Sequence, residues 1–235
     1  MLRVLLVGHG RMGRAIEAQA AGAAHLQCEI VGHLTSQGNA RGEAISRDRL
    51  PAADVAIDFS TADAVVQNAP KLAALGIDLV IGTTGWHDQE TALREVVAKA
   101  DIGVVAAPNM SVAVVLFQAL IDDAARLFGK RDDFEAWVHE LHHSTKRDAP
   151  SGTARALVTA MKRAGFTRRI DVASTRAGAI PGTHTVGFEG PFESVSLTHT
   201  ARDRSTFARG ALEAARWVHG RKGWFSMRDV LGIEP

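Results

Sequence analysis

The chain has 235 residues, 46% of them apolar and 23% charged, and a formal net charge of +1 at pH 7. That is an ordinary globular composition with room for one large domain or two small ones, and it excludes intrinsic disorder, which needs low hydrophobicity and high net charge. Near-neutral charge gives no whole-surface reason to bind nucleic acid or an anionic membrane, no apolar stretch approaches the ~18 residues of a membrane span, and the single Cys28 excludes an internal disulfide or a multi-cysteine zinc site.

The chain opens on Leu2-Arg3-Val4-Leu5-Leu6-Val7 and runs straight into glycines, without the longer apolar run and cleavage site of a secretory leader. The expected location is the cytoplasm. Short, mostly aliphatic runs follow at Val4–Val7, Ile30–Leu34, Val55–Phe59, Leu79–Ile81 and Ile102–Ala106, each bounded by Gly, Asp, Pro or Ser. Strands buried on both faces have this look. Cys28 adjoins the second run and reads as a buried structural thiol. Helical patterns lie between the strands at Arg14–Ala24, Ala62–Leu75 and Gln89–Ala100. Strand–helix alternation predicts a Rossmann-type, doubly wound parallel sheet.

The pattern changes near residue 111. A long helix is predicted from Ser111 to Gly129 and a second from Ser151 to Gly165, with serine and glycine as caps. Strand-like stretches occur at Phe134–His142, Ile170–Thr175 and Phe192–Thr200, with a Gly/Pro-rich turn over 178–182 and a last helix at Thr206–Val218. Strand following strand predicts a second, smaller α+β domain with an open mixed sheet.

Gly8-His9-Gly10-Arg11-Met12-Gly13 matches GxGxxG between the first strand and the first helix. Glycines there allow a tight turn, close approach of a pyrophosphate and helix–strand packing, and the helix N-terminus offers N–H groups to the phosphates. The acid that often follows the second strand is missing. Thr35 and Ser36 stand there instead and could donate to a 2′-phosphate, with Arg11 and Arg41 as nearby charge. The expected cofactor is NADPH or NADH, with NADPH accepted or preferred. Gly82-Thr83-Thr84-Gly85, Ala107-Pro108-Asn109-Met110 and Asp58-Phe59-Ser60 follow later strands, at the edge where the nicotinamide half of a dinucleotide would lie.

The densest chemistry is the run Glu140 to Ala154, ELHHSTKRDAPSGTA. His142, His143, Lys146 and Arg147 fall within six residues, and Pro150-Ser151-Gly152-Thr153 leads into a helix. Cations beside a helix N-terminus suit a carboxylate or phosphate, and histidine delivers protons near neutral pH. The overlapping string His139-Glu140-Leu141-His142-His143 matches HExxH. As a helix it would set two zinc ligands on one face; as a strand it would point adjacent histidines apart, and no third ligand stands out.

That run resembles the signature of the 4-hydroxy-tetrahydrodipicolinate (dihydrodipicolinate) reductase family. The resemblance covers nearly the whole chain: GHGRMG, DFS at 58–60, GTTG at 82–85, APN at 107–109, PGTHTV at 181–186, THTARDRSTFARGAL and MRDVLG. It implies a dinucleotide-binding domain from 1–110 and 204–235 and a substrate-binding, tetramerising domain at 111–203. It implies hydride transfer from NADH or NADPH to a small dicarboxylate, giving tetrahydrodipicolinate on the diaminopimelate route to lysine, in a homotetramer needing no metal, nucleic acid or membrane.

By position, His142 is then the proton donor, and Lys146 a second catalytic group and substrate anchor. His143, Ser151, Gly152 and Thr153 hold substrate carboxylates. Gly8 to Gly13, Thr35, Gly82, Thr83, Thr84 and Ala107 to Met110 contact the cofactor, with Arg204 and Phe207 as neighbours. The sequence departs from the family pattern in a glycine turn one residue shorter than GxxGRMG, in the missing acid, and in Met110 where an aromatic residue is common. The alternative function is a non-catalytic NAD(P)H-binding redox sensor, which would keep the glycine loops without needing the His-His-Lys cluster.

Overall fold

The computed structural model describes residues 1–39 and 41–234. The chain divides into two compact units, Met1–Val112 with Arg204–Pro235, and Ala113–Asp203. None of the described helices is long and apolar enough to cross a membrane.

The first unit holds a six-stranded parallel sheet. Its strands are β1 (Leu2–Val7), β2 (Cys28–Leu34), β3 (Val55–Asp58), β4 (Asp78–Ile81), β5 (Gly103–Ala106) and β10 (Gly223–Phe225), in the order β10-β5-β4-β3-β1-β2. The interior strands are nearly continuous aliphatic runs because helices cover both faces. Leu5, Val7, Ala56, Leu79, Ile81 and Val104 pack with Val65, Leu72, Leu93 and Val97 of α2 (Ala62–Ala74) and α3 (Glu90–Ala100). Strand alternation leaves Val4, Leu6, Ile57 and Val80 to the opposite face. There α1 (Arg11–Gly22) packs on α6 (Ser205–Val218), whose buried face is mostly alanine and glycine. A Cβ on Gly210 of α6 would fall on the Met110 carbonyl, so the close approach there requires glycine. Cys28 is buried at the head of β2, its thiol donating to the Leu26 carbonyl.

Two features of this unit differ from the sequence expectation. Helix α1 begins at Arg11 rather than Arg14, because Gly10 already serves as its N-cap. The strand β10 and the single turn α7 (Met227–Val230) were not predicted; both are too short to show a period.

The second unit carries a mixed four-stranded sheet in the order β7-β6-β8-β9. Its strands are β6 (Glu135–His142), β7 (Ile170–Arg176), β8 (Thr183–Glu189) and β9 (Ser194–Thr200). β6 pairs parallel with β7 and antiparallel with β8. One face packs Ala136, Val138, Val186 and Phe188 against Phe117, Ile121 and Ala125 of α4 (Val112–Phe128) and Leu157 and Met161 of α5 (Gly152–Arg163). β8 was not foreseen as a strand, since its alternation opens on a histidine and contains Gly187. That glycine is required because the Trp137 ring lies where a Cβ would stand. The HExxH string lies on β6, so its helical reading fails: in a strand, His139 and Glu140 face opposite sides.

Candidate functional site

In the first unit the glycine turn has the tight turn and the close helix–strand packing that its spacing predicts. Gly8 has φ +89°, and a Cβ there would stand 2.7 Å from the Phe59 carbonyl oxygen, at the point where the sheet order reverses between β1 and β3. A Cβ on Gly13 would fall on the Gly8 carbonyl, whereas a Cβ on Gly10 would meet nothing within 4 Å. Two glycines thus serve packing and one faces open space. The α1 N-cap is Gly10, no side chain caps the helix, and its first turn carries no acid. Its N–H groups and dipole are left for an anion.

This turn borders a cavity of about 600 Å³ lined by Gly8, His9, Gly10, Thr35, Ser36 and residues of the Phe59–Asn68 stretch. Thr35 and Ser36 are exposed at the end of β2. A second cavity of about 310 Å³ is lined by Thr83, Ala107, Pro108, Trp86 and Trp224 among others. Asp58 links the two loop systems: buried, it accepts from Ser60 N (2.9 Å), Ser60 Oγ (2.6 Å) and Thr83 Oγ1 (2.8 Å). Burial pushes its pKa up against those hydrogen bonds.

The remaining predicted contacts are dispersed. Arg11 and Met12 open α1, with Arg11 exposed. Gly82 lies under the Phe59 ring. Thr84 is exposed. Asn109 Oδ1 accepts from Ser111 N at 2.9 Å, turning the chain into α4. Met110 is 1% exposed and packed in the interior. Arg204 is the N-cap residue of α6 and Phe207, in its first turn, is half-buried.

In the second unit, the end of β6 presents Glu140 and His142 on one face, two residues apart. Glu140 is fully buried and its carboxylate is saturated. It takes Arg176 Nη2 at 2.6 Å and Nη1 at 3.0 Å, Ser151 N at 3.2 Å, and His142 Nδ1 in a short hydrogen bond. Burial alone would raise its pKa, but these donors, Arg176 foremost, hold it down to about 2. Burial lowers the pKa of His142 against the pull of Glu140. Its other nitrogen, Nε2, stands 3.0 Å from where a Cβ on Gly182 would be, so glycine leaves that edge room.

His184, on β8, meets His142 edge to face at 5.1 Å between centroids, and its Nε2 lies 3.0 Å from Ser151 Oγ. Burial pushes its pKa down to about 4. Ser151 is the N-cap of α5, its Oγ accepting from Ala154 N. Lys146 Nζ lies 2.7 Å from Asp148 Oδ1, and Asp148 also accepts from the Gly152 backbone. Asp148 is thereby held below the usual carboxylate range, first by Lys146. His143 Nδ1 pairs with Thr145 Oγ1 at 2.8 Å. The structure therefore brings His142, Lys146, Ser151 and Gly152 into one chain of contacts and leaves His143 and Thr153 at its margin.

Family models match both parts of the chain: "Dihydrodipicolinate reductase, N-terminus" over residues 2–110 and "Dihydrodipicolinate reductase, C-terminus" over residues 113–231. The chain belongs to the dihydrodipicolinate reductase family. Curated relatives include the 4-hydroxy-tetrahydrodipicolinate reductases of Methanoregula boonei, 36% identical over 100% of this chain and 99% of that one, and of Myxococcus xanthus, 43% identical over 77% and 73%. A solved structure, dipicolinate-bound dihydrodipicolinate reductase from Paenisporosarcina sp. TG-14, superposes with a TM-score of 0.77 at 21% identity, covering 96% of this chain and 97% of that one. At that identity the likeness speaks to the fold.

Three members of this cluster escaped the sequence reading in these roles. Glu140 stood at the head of the ELHHSTKRDAPSGTA run without a role there and in the zinc-type string, His184 was seen only inside PGTHTV, and Arg176 was not singled out. Arg176 sits 36 residues from Glu140, and only the parallel β6–β7 pairing aligns them.

Proposed function

We propose that this chain reduces 4-hydroxy-tetrahydrodipicolinate to tetrahydrodipicolinate with NAD(P)H, in the diaminopimelate route to lysine, and that it works as a cytoplasmic homotetramer. The observation that carries the reading is the Glu140–His142 pair set beside Lys146 and the α5 N-terminus, in a chain whose other unit holds an uncapped glycine-turn helix.

The residues present fit a dinucleotide: Gly10 opens onto free space, and the α1 N-terminus offers unpaired N–H groups to a pyrophosphate. Gly8 to Gly13 and Thr35 would hold the pyrophosphate and adenosine half. Gly82, Thr83, Thr84 and Ala107 to Met110 would hold the other half. Bound NAD(P)H supplies a hydride at nicotinamide C4.

The chain's own groups bind the substrate and move the proton. Glu140 accepts from His142 Nδ1, fixing the ring and leaving Nε2 as the nitrogen that delivers a proton. Lys146 anchors the substrate and stabilises developing negative charge. Asp148 already rests a carboxylate on Lys146 and the Gly152 N–H; a substrate carboxylate would take those same donors. His143, Ser151, Gly152 and Thr153 complete that end. The related dihydrodipicolinate reductase from Paenisporosarcina sp. TG-14 is bound to dipicolinate, a small aromatic dicarboxylate, in agreement with this anion-binding character.

NADPH is the preferred cofactor in this reading, because β2 ends in the hydroxyls of Thr35 and Ser36 rather than in a carboxylate. The homotetramer is supported by the sheet face bearing Trp137, His139 and Thr185, which among the described residues lies outside the second unit's hydrophobic core.

The test is parallel oxidation of NADPH and NADH, with substrate generated in situ from pyruvate and aspartate semialdehyde by a synthase. Substrate-dependent oxidation, faster with NADPH, is expected. Cofactor binding without turnover would favour the redox-sensor alternative.

A further inference from the structure

His9, Glu17 and His33 form a second cluster, remote in sequence from the reaction chemistry. His9 lies in the turn after β1, Glu17 in α1, and His33 near the end of β2. The β1–α1–β2 crossover brings them together. The Glu17 carboxylate meets one imidazole on each oxygen: His9 Nε2 lies 2.9 Å from Oε2, and His33 Nε2 lies 3.1 Å from Oε1. The rings lie against each other with centroids 4.2 Å apart and tilted by 49°. The potential ligand atoms of all three residues fall within 4.8 Å of one another.

We propose that His9 Nε2, His33 Nε2 and the Glu17 carboxylate bind a divalent first-row transition cation of the zinc class, with water completing the coordination. Two imidazoles and one carboxylate are a recurrent zinc donor set that leaves a fourth position open. Ligand bonds of about 2.0–2.1 Å put the donor atoms of a tetrahedral site roughly 3.3 Å apart. The observed spacings of 2.9 and 3.1 Å need only a small opening to admit the ion. The hydrogen bond from His9 holds Glu17 below the usual carboxylate range, so the anion is present at neutral pH.

The donors are held, yet reachable. A Cβ on Gly13 would lie 3.5 Å from His9 Cδ2, so the His9 ring rests on the first turn of α1. The three side chains are 32%, 42% and 31% exposed, in the order His9, Glu17, His33, which lets a hydrated ion in. The other comparable cluster, Glu140 with His142 and His184, differs in the feature that matters. Its carboxylate is buried and held by the Arg176 guanidinium, which an incoming cation would have to displace. Imidazole donors favour zinc, copper, nickel and cobalt over magnesium or calcium.

The experiment is titration of the chelator-treated, desalted full chain with Zn²⁺ by calorimetry and with Co²⁺ by visible absorption. Wild type, Glu17→Gln and His33→Gln would be compared, each checked for folding by circular dichroism. One equivalent should bind in wild type, with a cobalt spectrum of tetrahedral or five-coordinate character, and each substitution should weaken it by about tenfold or more. No stoichiometric ion in wild type, or an ion that both variants retain undiminished, would overturn the proposal.

Discussion

Glu140 decides what His142 can do. A buried carboxylate that accepts from Nδ1 selects the ring tautomer and favours the imidazolium, while Arg176 keeps that carboxylate ionised. Glu140→Gln removes the charge and keeps the shape. Because Glu140 raises the His142 pKa, its loss lowers that pKa further, and the pH limb of kcat assigned to the protonated histidine should move to lower pH. Turnover should fall by about 10- to 100-fold with cofactor affinity unchanged; a variant with an unmoved pH profile would reduce Glu140 to a packing role. His142 and Lys146 were singled out in the sequence because they fall within one short run, at the end of β6 and just after it. Arg176 and His184 were not, because strand pairing alone brings them there, and a lone arginine or histidine on a strand carries no local signal.

At the scale of the element, the β1–turn–α1 unit separates two packing glycines from one that faces open space. Gly13→Ala would drive a methyl group onto the Gly8 carbonyl, and a loss of about 2 kcal/mol or more is expected in urea unfolding. Gly10→Ala meets nothing within 4 Å, so stability should stay within about 0.5 kcal/mol while NADPH affinity falls by about tenfold. Equal stability losses in the two variants would contradict the division. The parallel sheet was readable because four of its strands are uninterrupted aliphatic runs between amphipathic helices. β8 was hidden because its inward positions begin with His184 and its Gly187 looks like a turn, although that glycine exists to receive Trp137. The β10 strand and α7 turn, three and four residues long, draw their stability from tertiary pairing with β5 and α6.

For the molecule as a whole, buried neutral imidazoles set a limit on acid stability. His184 has a pKa of about 4 when folded against an ordinary 6.5, so the unfolded chain binds the proton first as pH falls. Stability present above pH 6.5 should be lost progressively down to pH 4, by about 3 kcal/mol from this group alone. His184→Gln should flatten that slope in denaturant melts at the two pH values, and an unchanged slope would assign the acid loss elsewhere.

The proposed reductase couples a dinucleotide-binding unit to a His–Lys anion site. It is tested most directly by steady-state turnover and NADPH binding measured side by side on wild type and His142→Ala. Substrate-dependent NADPH oxidation is expected in wild type, with a kcat lower by roughly 10²–10⁴-fold in the variant and the same cofactor Kd in both. Near-normal turnover in His142→Ala, or no substrate-dependent oxidation by folded wild type, would contradict it.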